Sequence, residues 1–395
     1  MRSPLEQRAT DADTADPLAH LRHRFTIPDP LTYLDGNSLG ALATHVPAAV
    51  HDVVRHQWGQ QLIGAWRASS WWSAPTRVGD RVAPLLGAAP GQVIVADSTS
   101  VNVFKLLVAS LRAAAGRTEI LVDATTFPSD GYVAQSVGQL TGASVVTVHP
   151  DDLAGALSTS TAVVLLNHVD YLTGRLHDMA GHTAAAHAVG ALVVWDVSHS
   201  AGVLALDLDR IGVDFAVGAT YKFLNGGPGA PSFTYVATRW QERVHQPLTG
   251  WGGAADPFAM SGQFRAAAGM DRMRVGTPDI LSLLTLDAAL DVWDDVDLAQ
   301  VRAKGLALTG FFMDCVDELL RPELAKVVTP RGDNRGHQVS LRVKDAPSLV
   351  DRLAERGVVV DSRPPDLLRC GFAPLYTTFA DALRAAQVMA DLLAT

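Results

Sequence analysis

Six short apolar runs recur between residues 92 and 220: QVIVAD (92–97), EILVDA (119–124), ASVVTV (143–148), AVVLLN (162–167), ALVVWD (191–196) and VDFAVGAT (213–220). Each is rich in β-branched residues and nearly continuous in its hydrophobicity. Half-exposed strands alternate apolar with polar residues, so continuous runs predict strands buried on both faces of a mostly parallel sheet. Ala- and Leu-rich segments of helical length lie between them, such as 101–116 and 182–190. That alternation predicts an α/β domain with helices on both faces of its sheet.

With 395 residues, the chain is long for a single hydrophobic core, and more than one domain is expected. Residues 1–45 begin polar, are punctuated by Pro17, Pro28 and Pro30, and predict an arm with one short helix. The α/β domain is expected over 46–285. A helical stretch from 281 to 296 and on to 320 then leads into a smaller α+β unit over 286–395. Its strands are expected at 337–343, 357–362 and 368–372, with a closing helix over 379–393.

The formal charge of −9 is spread without long like-charge blocks. It disfavours nucleic acid or an anionic membrane as the main partner, since both need a basic face. The two cysteines, Cys315 and Cys370, lack metal-type spacing and are expected to be buried thiols of a reducing compartment. The polar N-terminal segment does not read as a secretory signal, and no run reaches the length of a membrane span. A cytoplasmic protein is expected.

In open α/β sheets ligands bind beyond the carboxyl ends of the strands, so the residues that follow each run carry the chemistry. DSTSVN (97–102) opens a helix with small hydroxyl residues; it serves either as a plain N-cap or as a phosphate cradle. DATTFPSDGY (123–132) supplies Phe127 and Asp130 in a Pro-containing loop; Phe127 alone could equally be core. Asp196 ends the fifth run, with His199 three residues on; an acid there caps a helix or partners a cation. Lys222 follows the sixth run, just before NGGPGAP (225–231), and lies 26 residues beyond Asp196. A lysine is seldom buried without a partner or a function, and desolvation lowers its pKa toward imine chemistry. A phosphate cradle, an aromatic ring, an acid and a later lysine, all at one sheet edge, are the parts that hold pyridoxal 5′-phosphate.

Over most of its length the chain resembles the kynureninase family, in the class V branch of fold-type I pyridoxal-phosphate enzymes. The matching residues are GNSLG (36–40), STSVN (98–102), FPSD (127–130), YLTGRLHDM (171–179), DVSHSAG (196–202), GVDFAVGATYKFLNGGPGAP (212–231), GWGG (250–253) and RVGTP (274–278). The resemblance implies that Lys222 joins the cofactor and shuttles protons. It implies Asp196 as partner of the pyridine nitrogen, His199 beside it, Phe127 stacking on the ring and Asp130 as a polar contact. Thr99 and Ser100 are implied phosphate ligands together with Tyr221, which also serves as an acid/base. Trp251 and Thr277 resemble a pair that reaches the phosphate from the neighbouring subunit, so a homodimer with shared sites is expected. Arg369 is the implied grip on a substrate α-carboxylate, a geometry suited to bidentate pairing.

The implied reaction is hydrolysis of L-kynurenine to anthranilate and L-alanine, in tryptophan catabolism or NAD biosynthesis. Asn167, at the end of the fourth run, is a candidate cofactor contact. Trp66 is a candidate wall of the aryl pocket or a core aromatic, and Asn37 and Ser38 face the site or shape the arm. Gly276 is smaller and less polar than the corresponding pair in vertebrate-type relatives, which favours kynurenine over its 3-hydroxy derivative. The competing readings are a class V desulfurase, lyase or aminotransferase, and a non-catalytic binding protein on the same scaffold. A desulfurase needs a mobile cysteine in a loop, whereas Cys315 and Cys370 lie in a predicted helix and strand.

Overall fold

The computed structural model describes residues 3–114 and 116–394. All six apolar runs contribute strands to one sheet: β1 (Val93–Val95), β2 (Glu119–Asp123), β3 (Ser144–Val148), β4 (Thr161–Asn167), β5 (Leu192–Asp196) and β6 (Phe215–Gly218). A seventh strand, β7 (Phe233–Val236), completes it, in the order β1-β7-β6-β5-β4-β2-β3. Strands β2 to β6 pair in parallel, whereas β7 is antiparallel to both its neighbours. Alternate side chains sort into two buried clusters, as a period of two requires. Val164, Val193, Trp195 and Phe233 enter one, and Val163, Val194, Phe215 and Val217 the other.

Strand β3 departs from the expectation of burial on both faces. It pairs only with β2 at the sheet edge, and Val146 is 39% exposed. Its β-branched composition meets the demand of an extended backbone, which is the same at an edge as in the centre.

Helix α2 (Thr99–Ala113) follows β1 and is capped by Ser98, whose hydroxyl accepts the N–H of Val101 at 3.4 Å. Helix α3 (Pro128–Thr141) starts with Pro at its first position, where the missing N–H costs nothing. The expected long helix after residue 281 is interrupted. Helix α4 (Ile280–Ala289) runs into a 3₁₀ turn ending at Trp293, and Asp295 adopts a left-handed φ of 64°. Asp297 then caps α5 (Leu298–Leu319), its carboxylate accepting the Ala299 N–H at 2.8 Å.

A second sheet holds β8 (Ala325–Val327), β9 (Gln338–Val343), β10 (Asp361–Arg363) and β11 (Leu367–Gly371), all antiparallel in the order β8-β9-β11-β10. The expected strand at 357–362 is divided. Asp361–Arg363 joins this sheet, and Val358–Val359 pairs in parallel with Thr32–Tyr33 of the arm. A third cluster packs Leu341, Leu368 and Phe372 against Phe312 of α5 and Met389 of α6 (Phe379–Ala394).

The arm belongs to this third cluster. Its helix α1 (Pro4–Thr14) starts with a reciprocal Ser3–Glu6 capping box and contributes Leu5 and Ala9 to the cluster. Asp13 accepts the N–H groups of Phe379 and Ala380, at 2.7 and 3.0 Å, and so caps α6 from a distance. Farther on, Leu34 O accepts the Gly371 N–H at 2.7 Å, and Gly40 N–H donates to Tyr221 O at 2.8 Å. The arm therefore ties the second sheet to the turn that carries Lys222.

Candidate active site

A cavity of about 560 Å³ lies beyond the carboxyl ends of β1, β4, β5 and β6, and Arg363 and Arg369 of the second sheet close it from one side. Of the predicted site residues, Asn37, Thr99, Ser100, Phe127, Asp130, Asn167, Asp196, His199, Tyr221, Lys222, Gly276, Thr277 and Arg369 all line it. Two others are not brought to it. Trp66 packs edge-on against Trp71, with ring centres 5.6 Å apart, and lies 6.3 Å from Trp72. That aromatic stack claims its face. Trp251 lies 5.0 Å from Trp72 and is 40% exposed. Thr277, its expected companion, stands on the wall of this chain's own cavity.

Lys222 is half-buried on the wall of this cavity. Burial lowers its amine to about 8, while the charge of Asp196 opposes the shift. Its Nζ lies 2.8 Å from Nε2 of His199, whose own pKa is driven far down by burial and then by the lysine charge. The imidazole is therefore neutral, and the lysine approaches the neutral form near physiological pH. The backbone around it is tightly packed. A Cβ on Gly40 would collide with Lys222 O, and Asn225 turns the chain with a left-handed φ of 60°. The side-chain amide of Asn225 donates to Ala41 O at 2.9 Å, fixing arm and turn together.

Asp196 is oriented by the strand end that carries it: its Oδ1 accepts the Ser198 N–H at 2.7 Å. Asp130 faces it. Burial, then the Asp196 charge, pushes the Asp130 carboxyl far above the usual range, and it retains its proton. Thr126 donates to Asp130 at 3.1 Å and accepts from the Asn167 amide at 2.6 Å. Asn167 thus braces the acid pair through a threonine. Phe127 meets Tyr171 edge-on at 5.3 Å and is 42% exposed toward the opening.

At the opposite end, Thr99 and Ser100 stand in the first turn of α2, where backbone N–H groups lack helical acceptors. Thr99 Oγ1 donates to Ser232 Oγ at 3.2 Å. Asp97 precedes the cap in a left-handed conformation, φ 57°. Its carboxylate is neutralised from below by Lys105, which is wholly buried and donates at 2.8 Å both to Asp97 and to Met273 O. Lys105 therefore ties the phosphate-side loop to the segment leading into Gly276 and Thr277.

Arg369 is 1% exposed and already heavily engaged. Its Nε donates to Asp361 Oδ1 at 2.7 Å, its Nη2 to Asp361 Oδ2, and its Nη1 to Tyr171 O at 2.8 Å. Ser38 Oγ receives a further contact from Nη2 at 3.3 Å and donates to Asp361 at 2.7 Å. The amide of Asn37 is buried with no hydrogen-bond partner among the described residues. A Cβ at position 371 would overlap its Oδ1, so glycine there makes room for it.

Ser232, Tyr171, Asp361 and Arg363 were not anticipated. A signal for the last two was available: DSR (361–363) puts two opposite charges on alternate positions of a short run. Alternate positions of a strand share a face.

A family model described as the kynureninase C-terminal domain matches residues 301–389. A kynureninase of Deinococcus radiodurans is 49% identical over 388 residues, covering 96% of this chain and 94% of the relative. The chain belongs to the kynureninase family. A second family member, from Pseudomonas fluorescens, is 40% identical across 96% of this chain and 94% of its own length. Among solved structures, a cysteine desulfurase of Escherichia coli superposes with a TM-score of 0.81 at 22% identity, covering 95% of this chain and 98% of that one. A C-DES mutant with glycine covalently linked to its pyridoxal-phosphate cofactor reaches 0.83 at 18%, covering 94% and 99%. These structural likenesses establish the fold: the seven-stranded sheet and the second, C-terminal sheet of this kynureninase-family chain are those of fold-type I, class V. Both cysteines are buried free thiols, in α5 and β11, and burial pushes Cys315 up to about 12.

Proposed function

We propose that this chain hydrolyses the Cβ–Cγ bond of L-kynurenine, giving anthranilate and L-alanine, with pyridoxal 5′-phosphate held in the cavity described above. The observation that carries the reading is Lys222: a buried amine lowered to about 8, 2.8 Å from a neutral His199, with Asp196 and Arg369 bearing on it electrostatically. The donor set fits the cofactor. The first turn of α2, with Thr99, Ser100 and Tyr221, suits a phosphate; Phe127 offers a ring face; Asp196 offers a carboxylate to a pyridine nitrogen. When bound, pyridoxal phosphate links to the substrate amine through its aldehyde and draws electrons away from the α-carbon.

The chain's own groups then divide the proton work. Lys222 Nζ takes the α-proton, a role its lowered pKa allows at neutral pH. Burial and the Asp196 charge raise the pKa of Tyr221, so its hydroxyl stays protonated and can deliver a proton to carbon. Water adds to the γ-carbonyl: its OH ends on anthranilate, and its hydrogen ends on the β-carbon of alanine. Arg369 marks the carboxylate side of the cavity, and Gly276, small and apolar, favours kynurenine over the 3-hydroxy compound. Trp66 lies outside the lining of this chain's own cavity.

The same reading takes the enzyme as a cytoplasmic homodimer of tryptophan breakdown, with Trp251 reaching the partner's phosphate. Exposed Ile63, Phe258 and Met260 support a covered apolar surface, and two unpaired buried cysteines suit a reducing compartment. Among the described residues no helix is long and apolar enough to cross a membrane, and no cluster suits a metal ion. The decisive experiment adds L-kynurenine to the cofactor-loaded protein and follows anthranilate fluorescence. No fluorescence from protein that keeps its visible, borohydride-sensitive absorption would overturn the substrate assignment. Parallel turnover of 3-hydroxykynurenine tests the role of Gly276.

A further inference from the structure

Arg369 is close to saturated. A guanidinium carries five N–H donors, and four of these already point at Asp361, Tyr171 O and Ser38. Its forked Nε–Nη2 edge, the edge that pairs best with a carboxylate, is held by Asp361. What it can still offer a substrate is a single Nη1 hydrogen.

Arg363 sits six residues earlier, on the neighbouring strand β10, and lines the same cavity. Its Nη1 touches Asp361 Oδ2 at 3.1 Å and donates to Ser362 O at 2.8 Å. Its Nε is buried with no hydrogen-bond partner among the described residues. Such a donor is costly to leave unmade. The charge reaches inward, because Arg363, after burial and nearer charges, helps to depress both His199 and Lys222.

Charge counting points the same way. Two guanidinium groups share one firmly ionised carboxylate, Asp361: burial works to raise it, but its bonds to Arg369 hold it below the usual range. The other acid nearby, Asp35, is raised to about 7 by burial and then by Asp361, and leaves one oxygen without a partner among the described residues. At neutral pH, where Asp35 is only partly ionised, the cluster therefore retains a net positive charge on the cavity wall, which suits a carboxylate.

We propose that Arg363 is a second carboxylate-binding arginine of the substrate site, with Asp361 as the shared brace that positions both guanidinium groups. The inference rests on an amino-acid substrate, as in the reading above. Arg363 supplies the uncompensated charge and its outer Nη2 edge, which Asp361 and Ser362 leave free; Arg369 supplies the remaining Nη1 hydrogen and a rigid wall.

The test compares wild type with Arg363→Gln and the conservative Arg363→Lys, all loaded with cofactor. KM for L-kynurenine is expected to rise about 10- to 100-fold in Arg363→Gln, the range of one charge-assisted hydrogen bond, with kcat within about threefold. Arg363→Lys is expected to recover part of the loss. Spectral titration then separates binding from damage: affinity for L-alanine should fall by a similar factor, while affinity for L-alaninamide, which lacks the carboxylate, should hold. Equal losses for both ligands, or no loss for either, would overturn the assignment. Should Arg363→Gln not fold, Arg363→Lys decides by the same pair of ligands. A wild-type protein that discriminates alanine from its amide through Arg363 yet releases no anthranilate would refute the kynurenine reading alone.

Discussion

At the residue scale, the site costs stability, and Lys222 shows the sign of that cost. Its amine titrates near 8 in the folded chain and near 10.5 when free. Between those values the unfolded chain binds more protons, so stability rises with pH through that window. Below it the buried charge costs on the order of 3 kcal/mol. The cofactor-free Lys222→Met protein should therefore melt higher than wild type at pH 7, with the gain shrinking as pH climbs from 8 toward 10.5. A gain independent of pH would show that shape, and not charge, sets the difference. Burial lowers the Lys105 amine too, but Lys105 differs in having a carboxylate partner at 2.8 Å. Lys105→Met leaves Asp97 without its cation and should cost about 3–5 kcal/mol in urea unfolding. Adding Asp97→Asn should return a large part, since the stranded charge is then gone.

At the element scale, much was legible because burial on both faces leaves a mark in composition. Runs such as AVVLLN and ALVVWD have no polar alternate positions, and their strands β4 and β5 are fully buried. Less legible were properties set by neighbours. Phe233–Val236 is short and follows a Gly- and Pro-rich turn, so nothing in it announces a reversed strand between β1 and β6. Nor does ASVVTV reveal that β3 has a partner on one side only. The difference should appear in mutagenesis: Val146→Thr should change stability by less than about 0.5 kcal/mol, whereas Val193→Ala should cost about 1–3 kcal/mol. Of the site, the residues at strand ends were readable because the carboxyl edge of a parallel sheet collects ligands whatever the family. The Asp361–Arg363 pair was not, because the folding-over of the second sheet is a tertiary fact, as is the packing of Trp66 against Trp71 and Trp72.

At the scale of the whole molecule, the arm is structural as well as catalytic in its placement. Helix α1 fills the third hydrophobic cluster and caps α6, so removing residues 3–14 should lower the stability of the C-terminal sheet. Hydrogen exchange should show faster opening of β9 and β11 than of β4 and β5, which keep their own two clusters. Gly40→Ala should act at longer range. A Cβ there meets backbone on the lysine turn, which cannot rotate away as a side chain can. The expected outcome is about 1–3 kcal/mol of lost stability, with weaker cofactor retention measured by equilibrium dialysis. Retention equal to wild type would separate the arm from the cofactor.

The two backbone hydrogen bonds of Leu34 and Gly40 have a consequence for selectivity. One grips the strand that presents Arg369; the other grips the carbonyl beside Lys222. On the proposed reading, these are the ends that receive a substrate's carboxylate and its amine. A single length of main chain then works as a caliper, its jaws set by peptide geometry and not by side chains. Substitutions around the aryl end should change which amino acid is accepted while leaving the α-amino-acid gauge untouched.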